Sequence, residues 1–243
     1  MVVLAIDVGN SRIKWGLHDG LRWIDAGAVD HAQHAALLPA WTGLPTACQA
    51  IGSNVSEPAI AGRIDAMLGV QRIGVRWIES RTAQCGVRNL YDDPSQLGTD
   101  RWAALIGARA MHAGACLVVS AGTAVTVDAL TAEGDFLGGL FLPGLWLLLD
   151  ALARDTARLA RATGAYADFP RTTADAIASG AIDAVAGAVE RCGRRLSAQV
   201  GGPVRLVATG GAIGALRPHL APDARVVDNL VLEGLLVIAA ESS

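Results

Sequence analysis

The feature that most constrains the fold of this chain is a loop that occurs twice. Near the start, the apolar run Val2-Val3-Leu4-Ala5-Ile6 feeds Asp7-Val8-Gly9-Asn10-Ser11, and Lys14 follows. Near the middle, Cys116-Leu117-Val118-Val119 feeds Ser120-Ala121-Gly122-Thr123-Ala124. Laid over each other, the two place Asp7 on Ser120, Gly9 on Gly122 and Asn10 on Thr123. Each copy predicts a strand, a tight glycine turn and a second strand. A glycine at such a turn lets backbone N–H groups approach an anion, and short polar side chains add hydrogen bonds. Taken alone, the repeat is equally a pair of ordinary β-hairpins.

The surrounding pattern argues for a duplication. Residues 2–6, 12–18 and 21–28 predict three strands, with a turn at His18-Asp19-Gly20. A short helix over 32–40, a buried strand over 47–51, a helix over 57–68 and a strand over 70–78 follow. Residues 79–97 are polar and irregular, with Asp92-Asp93-Pro94 as a turn. A helix over 98–112 precedes three more strands, 117–119, 124–130 and 135–140. Pro143-Gly144 opens a helix to about residue 160, Pro being suited to a first turn. One long alanine-rich helix, or two, covers 173–200. A buried strand over 204–208 leads into Thr209-Gly210-Gly211 and another helix, then a short strand over 225–227 and a closing helix over 230–240. The order β-β-β-α-β-α therefore appears twice, which predicts an α/β chain of two ribonuclease-H-like halves, 1–114 and 115–243.

Composition excludes several functions. With 243 residues, 52% of them hydrophobic, the chain can bury a sizeable core. A net charge of −3 without a Lys/Arg cluster argues against nucleic acid, whose phosphate backbone needs a basic face. Cys48, Cys85, Cys116 and Cys192 are scattered and form no CxxC pair, which argues against a zinc site or a disulfide framework and fits a reducing cytoplasm. The first apolar run is short and lacks a basic leader, so no signal peptide is read there. The uncharged stretch from Gly138 to Leu149 is broken by Pro143 and is too short to span a bilayer. We therefore expect a soluble cytoplasmic protein.

Three segments could carry chemistry. In the first loop, Asp7 suits Mg²⁺, directly or through water, because hard cations take carboxylate oxygens. Gly9 and Asn10 would meet phosphate oxygens, and Lys14 would neutralise charge there or else be a solvated strand residue. In Tyr91-Asp92-Asp93-Pro94-Ser95-Gln96-Leu97-Gly98-Thr99-Asp100-Arg101, Gly98-Thr99 opens a helix whose free N–H groups can bind an anion. Asp100 there is either a helix cap or a functional carboxylate, and Arg101 is its salt-bridge partner or an anion fork. Gly210-Gly211 would admit a nucleoside close to backbone, or be a simple strand-to-helix turn. Asp128, at a strand end, reads as structural, and the six tryptophans read as core.

Together the segments DVGNS, Tyr91 with PSQLGTDR, SAGTAVTVD, GGLFLPG, TTADAIASG and VATGGAI resemble the type III pantothenate kinase family over essentially the whole chain. Each segment is weak alone, but their order and spacing are specific. The resemblance implies the fold of the actin, sugar-kinase and heat-shock ATPase superfamily, in which two phosphate loops face each other across a cleft. It implies ATP-dependent phosphorylation of pantothenate, the first step toward coenzyme A, by a homodimer with its active site near the interface. By position it assigns nucleotide binding to Asp7, Val8, Gly9, Asn10, Ser11, Arg12, Ile13 and Lys14, and to Thr123. It assigns the catalytic base to Asp100 and pantothenate binding to Tyr91, Gly98, Thr99, Asp100, Arg101 and Thr173. Asn10-Ser11 stands where Asn-Thr is frequent, which keeps the hydroxyl. Ser120 is a departure, because many members carry there an aspartate that binds K⁺ or NH₄⁺, and serine lacks the charge. The rival readings are a kinase for another small hydroxylated substrate and a nucleotide-binding regulator without catalysis.

Overall fold

The computed structural model describes residues 2–45, 47–155 and 164–241, and it divides into two compact units, 1–111 with 230–243 and 112–229. The first unit opens with β1 (Val3–Val8), β2 (Arg12–His18) and β3 (Trp23–Asp30), antiparallel to one another through tight turns. A 3-10 turn over 31–36 runs into the short α1 (Leu37–Trp41), so the helix expected over 32–40 is split. β4 (Gln49–Asn54), α2 (Pro58–Gly69) and β5 (Val75–Trp77) complete a sheet of order β3-β2-β1-β4-β5, with β4 and β5 parallel to β1. β1 is central, and Leu4, Ala5, Ile6 and Val8 are fully buried, as a near-continuous apolar strand between covered faces must be.

The stretch expected to be irregular contains a hairpin, β6 (Ala83–Gln84) and β7 (Val87–Asn89). Cys85 and Gly86 form its tip with φ of 49° and 75°, the positive-φ pair of a two-residue hairpin turn. Cysteine is not a residue that signals such a turn, so the hairpin was invisible in sequence. α3 (Thr99–Met111) then runs buried from Arg101 to Ala108.

The second unit repeats the plan. β8 (Cys116–Ala121), β9 (Ala124–Leu130) and β10 (Asp135–Pro143) are antiparallel neighbours. α4 (Leu145–Asp155) and α5 (Thr173–Val200) follow; the part of α4 expected to reach residue 160 lies outside the described residues. α5 is one helix of 28 residues, capped by the Thr172 side chain at one end and by Gly201 at φ 65° at the other. β11 (Arg205–Thr209), α6 (Ile213–Leu216) and β12 (Arg225–Val226) close the unit, with strands in the order β12-β11-β8-β9-β10. That order, with β11 parallel to β8 and β12 parallel to β11, matches β5-β4-β1-β2-β3 strand for strand.

The expected division 1–114 and 115–243 needs one correction. α7 (Leu230–Glu241) belongs to the first unit, packed on α3 and β1. Its contact with α3 is backbone-close: a Cβ on Gly107 would lie 2.7 Å from the Leu230 carbonyl oxygen and 3.0 Å from the Gly234 nitrogen. Leu230, Leu232, Leu235, Ile238 and Ala239 are all buried in that arrangement. The tryptophans are not uniformly core either. Trp41 and Trp102 are sealed, whereas Trp146 on α4 is 58% exposed.

Candidate active site

The site in the first unit begins as one row across the sheet. Asp7 on β1 is in register with Lys14 on β2 and with Ser53 on β4. Residues directly opposite in neighbouring strands share a face, so the three side chains form one line. Ser53 is fully buried, and its hydroxyl lies 2.9 Å from the Thr99 hydroxyl at the start of α3. Thr99 also donates to the Asn54 carbonyl at 3.4 Å. Through these bonds the strand row holds the first turn of α3, where Asp100 and Arg101 stand. Ser53 was not singled out from sequence, although Gly52-Ser53-Asn54 after a buried strand is visible there.

Asp7 and Asp100 are electrostatically coupled. Asp7 is half-buried as a residue, yet its Oδ1 is sealed from solvent and has no hydrogen-bond partner among the described residues. Burial first, and the neighbouring Asp100 charge second, push its carboxyl up to about 7, against the opposing pull of Lys14. Asp100 is also raised, by burial, with the Arg101 backbone N–H and the Arg101 charge pulling the other way. The Arg101 N–H donates to Asp100 Oδ1 at 2.7 Å and fixes the carboxylate's orientation. Gly98 leaves room for it, since a Cβ there would lie 2.7 Å from Asp100 Oδ1.

Arg101 is 4% exposed, and its guanidinium donates to the Tyr91 hydroxyl at 3.2 Å while standing 5.8 Å from the Tyr91 ring centre. Tyr91 is thus joined to the block it precedes. The intervening loop is closed by Asp93, whose carboxylate caps a 3-10 turn over 94–96 by accepting from the Ser95 N–H at 3.0 Å and hydroxyl at 2.6 Å. Those bonds hold the Asp93 carboxyl below the usual carboxylate range.

In the first loop, the Gly9 N–H donates to the Arg12 carbonyl at 3.1 Å and Asn10 is exposed at the tip. The side chains of Val8 and Ile13 lie in the core, so only their backbone could meet a ligand. The Arg12 side chain is exposed and paired with Asp30 at 3.1 Å. Beside Asn10 opens a depression of about 640 Å³ lined by His31, Val55 and Arg63 among others.

The second loop has the same form: the Gly122 N–H donates to the Ala124 carbonyl at 3.0 Å, and Thr123 is exposed at the tip. The row equivalent to Lys14-Asp7-Ser53 is Thr126-Ser120-Thr209, three hydroxyls in place of an amine, a carboxyl and a hydroxyl. Gly210, at φ 107°, packs its backbone on Ala121, whereas Gly211 faces open space. Asp128 is buried on β9. Thr173 is exposed in the first turn of α5 and, like Thr123, belongs to the second unit.

A buried carboxylate oxygen without a partner among the described residues suits a hard cation, a second carboxylate with raised affinity for protons suits a general base, and a glycine loop suits phosphates. These features, on a duplicated ribonuclease-H-like fold, are the groups that phosphoryl transfer calls for. Comparison with solved structures agrees on the fold: a protein from Sinorhizobium meliloti assigned as a 2-dehydro-3-deoxygalactonokinase superposes with a TM-score of 0.59 at 18% identity, covering 99% of both chains. The model of the type III pantothenate kinase family matches residues 3–195. The type III pantothenate kinase of Nitrosospira multiformis is 44% identical over 100% of this chain and 92% of its own length. That of Aromatoleum aromaticum is 49% identical over 100% and 99%. The chain belongs to the type III pantothenate kinase family.

Proposed function

We propose that this chain transfers the γ-phosphoryl group of ATP to the primary hydroxyl of pantothenate, giving 4'-phosphopantothenate, the first step of coenzyme A biosynthesis. The observation that carries the reading is the pair Asp7 and Asp100 at one end of the sheet, with Arg101 and Tyr91 beside them. Phosphoryl transfer is mostly positioning and charge stabilisation, and these residues divide that work. Asp100, held by the Arg101 N–H, accepts the proton of the substrate hydroxyl as that oxygen attacks phosphorus; its raised affinity for a proton suits the task. Arg101 with Tyr91, and the helix-start amides at Gly98 and Thr99, bind the pantothenate carboxylate. The loop from Asp7 to Lys14 and the Thr123 loop bind the ATP phosphates through backbone and through Asn10, Ser11 and Lys14.

Asp7 is the residue that would hold Mg²⁺, directly or through water, because its sealed Oδ1 has no partner among the described residues. A cation held by Asp7 would supply positive charge against the phosphates. A K⁺ or NH₄⁺ site at Ser120 would be weak or lost, since the row Thr126-Ser120-Thr209 supplies only neutral oxygens. We further propose a cytoplasmic homodimer in which Thr173 completes the opposite subunit's pantothenate site. The four cysteines are free, and among the described residues no helix is long and apolar enough to cross a membrane.

The test is a coupled assay of ATP consumption with pantothenate, a panel of sugars and no acceptor. Turnover confined to pantothenate is the expected result. Turnover on a sugar would make the chain a kinase of another specificity, and ATP binding without turnover would make it a regulator. Mixing Asp100→Asn with Thr173-disrupted protomers should restore some activity, and no recovery would refute the shared site.

A further inference from the structure

We propose that Asn89 is a positioning residue for the carboxylate-binding end of the site, acting through Tyr91. This rests on the reading of Tyr91 and Arg101 as substrate-carboxylate ligands. Asn89 ends β7 and is 3% exposed, one of few buried polar side chains among the described residues. Its backbone N–H donates to the Thr82 carbonyl at 2.9 Å and so closes the 83–89 hairpin. Its side chain then holds the next loop at its start and at its middle. Nδ2 donates to the Pro94 carbonyl at 3.1 Å, and Oδ1 accepts from the Tyr91 N–H at 3.1 Å.

Those two bonds set where Tyr91 leaves the hairpin and where the 3-10 turn over 94–96 begins. The loop they brace carries the tyrosine whose hydroxyl accepts from Arg101. Its far end is held by the Ser80 hydroxyl, which donates to the Leu97 carbonyl at 2.7 Å immediately before Gly98. The hairpin is anchored in turn. Gln84 accepts from the Trp102 indole N–H at 3.3 Å and donates to Glu241 at 3.1 Å, and Glu241 accepts from the Cys85 N–H at 3.0 Å. Asn89 therefore links an anchored hairpin to Tyr91 through its side chain.

A neutral amide is the group this position needs, because one atom must accept and the other donate. Aspartate keeps the acceptor for Tyr91 but, when ionised, sets a second oxygen against the Pro94 carbonyl. A protonated carboxyl recreates the amide's pattern, with C=O accepting and O–H donating. Leucine has similar bulk and removes both bonds. A buried polar network with a missing member is costly, and the cost falls on the geometry of the loop.

The experiment measures kcat and the two KM values for Asn89→Asp and Asn89→Leu, alone and in a Tyr91→Phe background, with Tyr91→Phe and Arg101→Lys as reference variants. At neutral pH, Asn89→Asp should raise KM for pantothenate roughly tenfold, as losing about one buried hydrogen bond would, and leave KM for ATP and kcat within about twofold. Acidification should bring that KM back toward wild type for Asn89→Asp and not for Asn89→Leu. In the Tyr91→Phe background the Asn89 effect should largely vanish, because the two residues act as one unit. Amide hydrogen exchange at Tyr91 should quicken in both Asn89 variants, a readout independent of substrate. Additive effects of Asn89 and Tyr91, an unchanged KM for pantothenate, or equal rises in both KM values would overturn the proposal. If instead Tyr91→Phe and Arg101→Lys themselves leave KM for pantothenate unchanged, it is the reading of the carboxylate site that fails.

Discussion

Replacing Asp7 by asparagine in metal-free protein should stabilise the fold at neutral pH by an amount that depends on pH in a calculable way. The Asp7 carboxyl is raised from 3.8 to about 7 in the folded chain, chiefly by burial and next by Asp100. A group with a raised folded-state pKa binds its proton more tightly when folded. The fold's stability therefore falls as pH rises from about 4 to about 7, and no further change from this group occurs above that. Each pH unit across that window is about 1.4 kcal/mol, so between about pH 5 and pH 8 the wild-type protein should lose about 3 kcal/mol through Asp7. Asparagine does not titrate and has nearly the same shape. The measurement is urea unfolding of both proteins in excess chelator at the two pH values. Comparing the variant-minus-wild-type difference at each pH cancels the titrating groups that are not coupled to Asp7. That difference should grow by about 3 kcal/mol toward pH 8 and should shrink in an Asp100→Asn background, where the neighbouring charge is gone. Added Mg²⁺ should stabilise wild type and not the variant. A difference that stays flat with pH would refute both the burial of Asp7 and its coupling to Asp100.

Asp100→Asn removes the proton acceptor at constant shape, so kcat should fall roughly 10²–10⁴-fold with ATP binding retained; activity within threefold of wild type would leave Asp100 as a helix-start residue only. Gly98→Ala places a methyl 2.7 Å from Asp100 Oδ1, so kcat should fall roughly 10- to 100-fold by displacing the base, with little change in thermal midpoint. Initial rates against KCl, NH₄Cl and a bulky-cation control at fixed ionic strength should show weak monovalent-cation dependence, and Ser120→Asp should strengthen it; steep saturable K⁺ activation of the unmodified protein would contradict the reading of the hydroxyl row.

Periodicity along the chain was enough to reveal the duplication, because each half carries the same alternation of strand, glycine turn and helix. The two loops, β1, α3 and the run from Tyr91 to Arg101 could all be read there, since local pattern encodes element type and helix starts. Partner choice was not legible. α7 is apolar apart from Glu233 and Glu241, so its sequence does not say that Gly234 meets Gly107 rather than the unit that precedes it. The 83–89 hairpin turns on a cysteine at positive φ, which sequence does not announce. Only the strand register placed Lys14, Asp7 and Ser53 in one line, and only packing sealed Asp7 Oδ1 and raised its pKa. A side chain's proton affinity depends on what surrounds it in three dimensions, and those neighbours come from strands and a helix far apart in the chain.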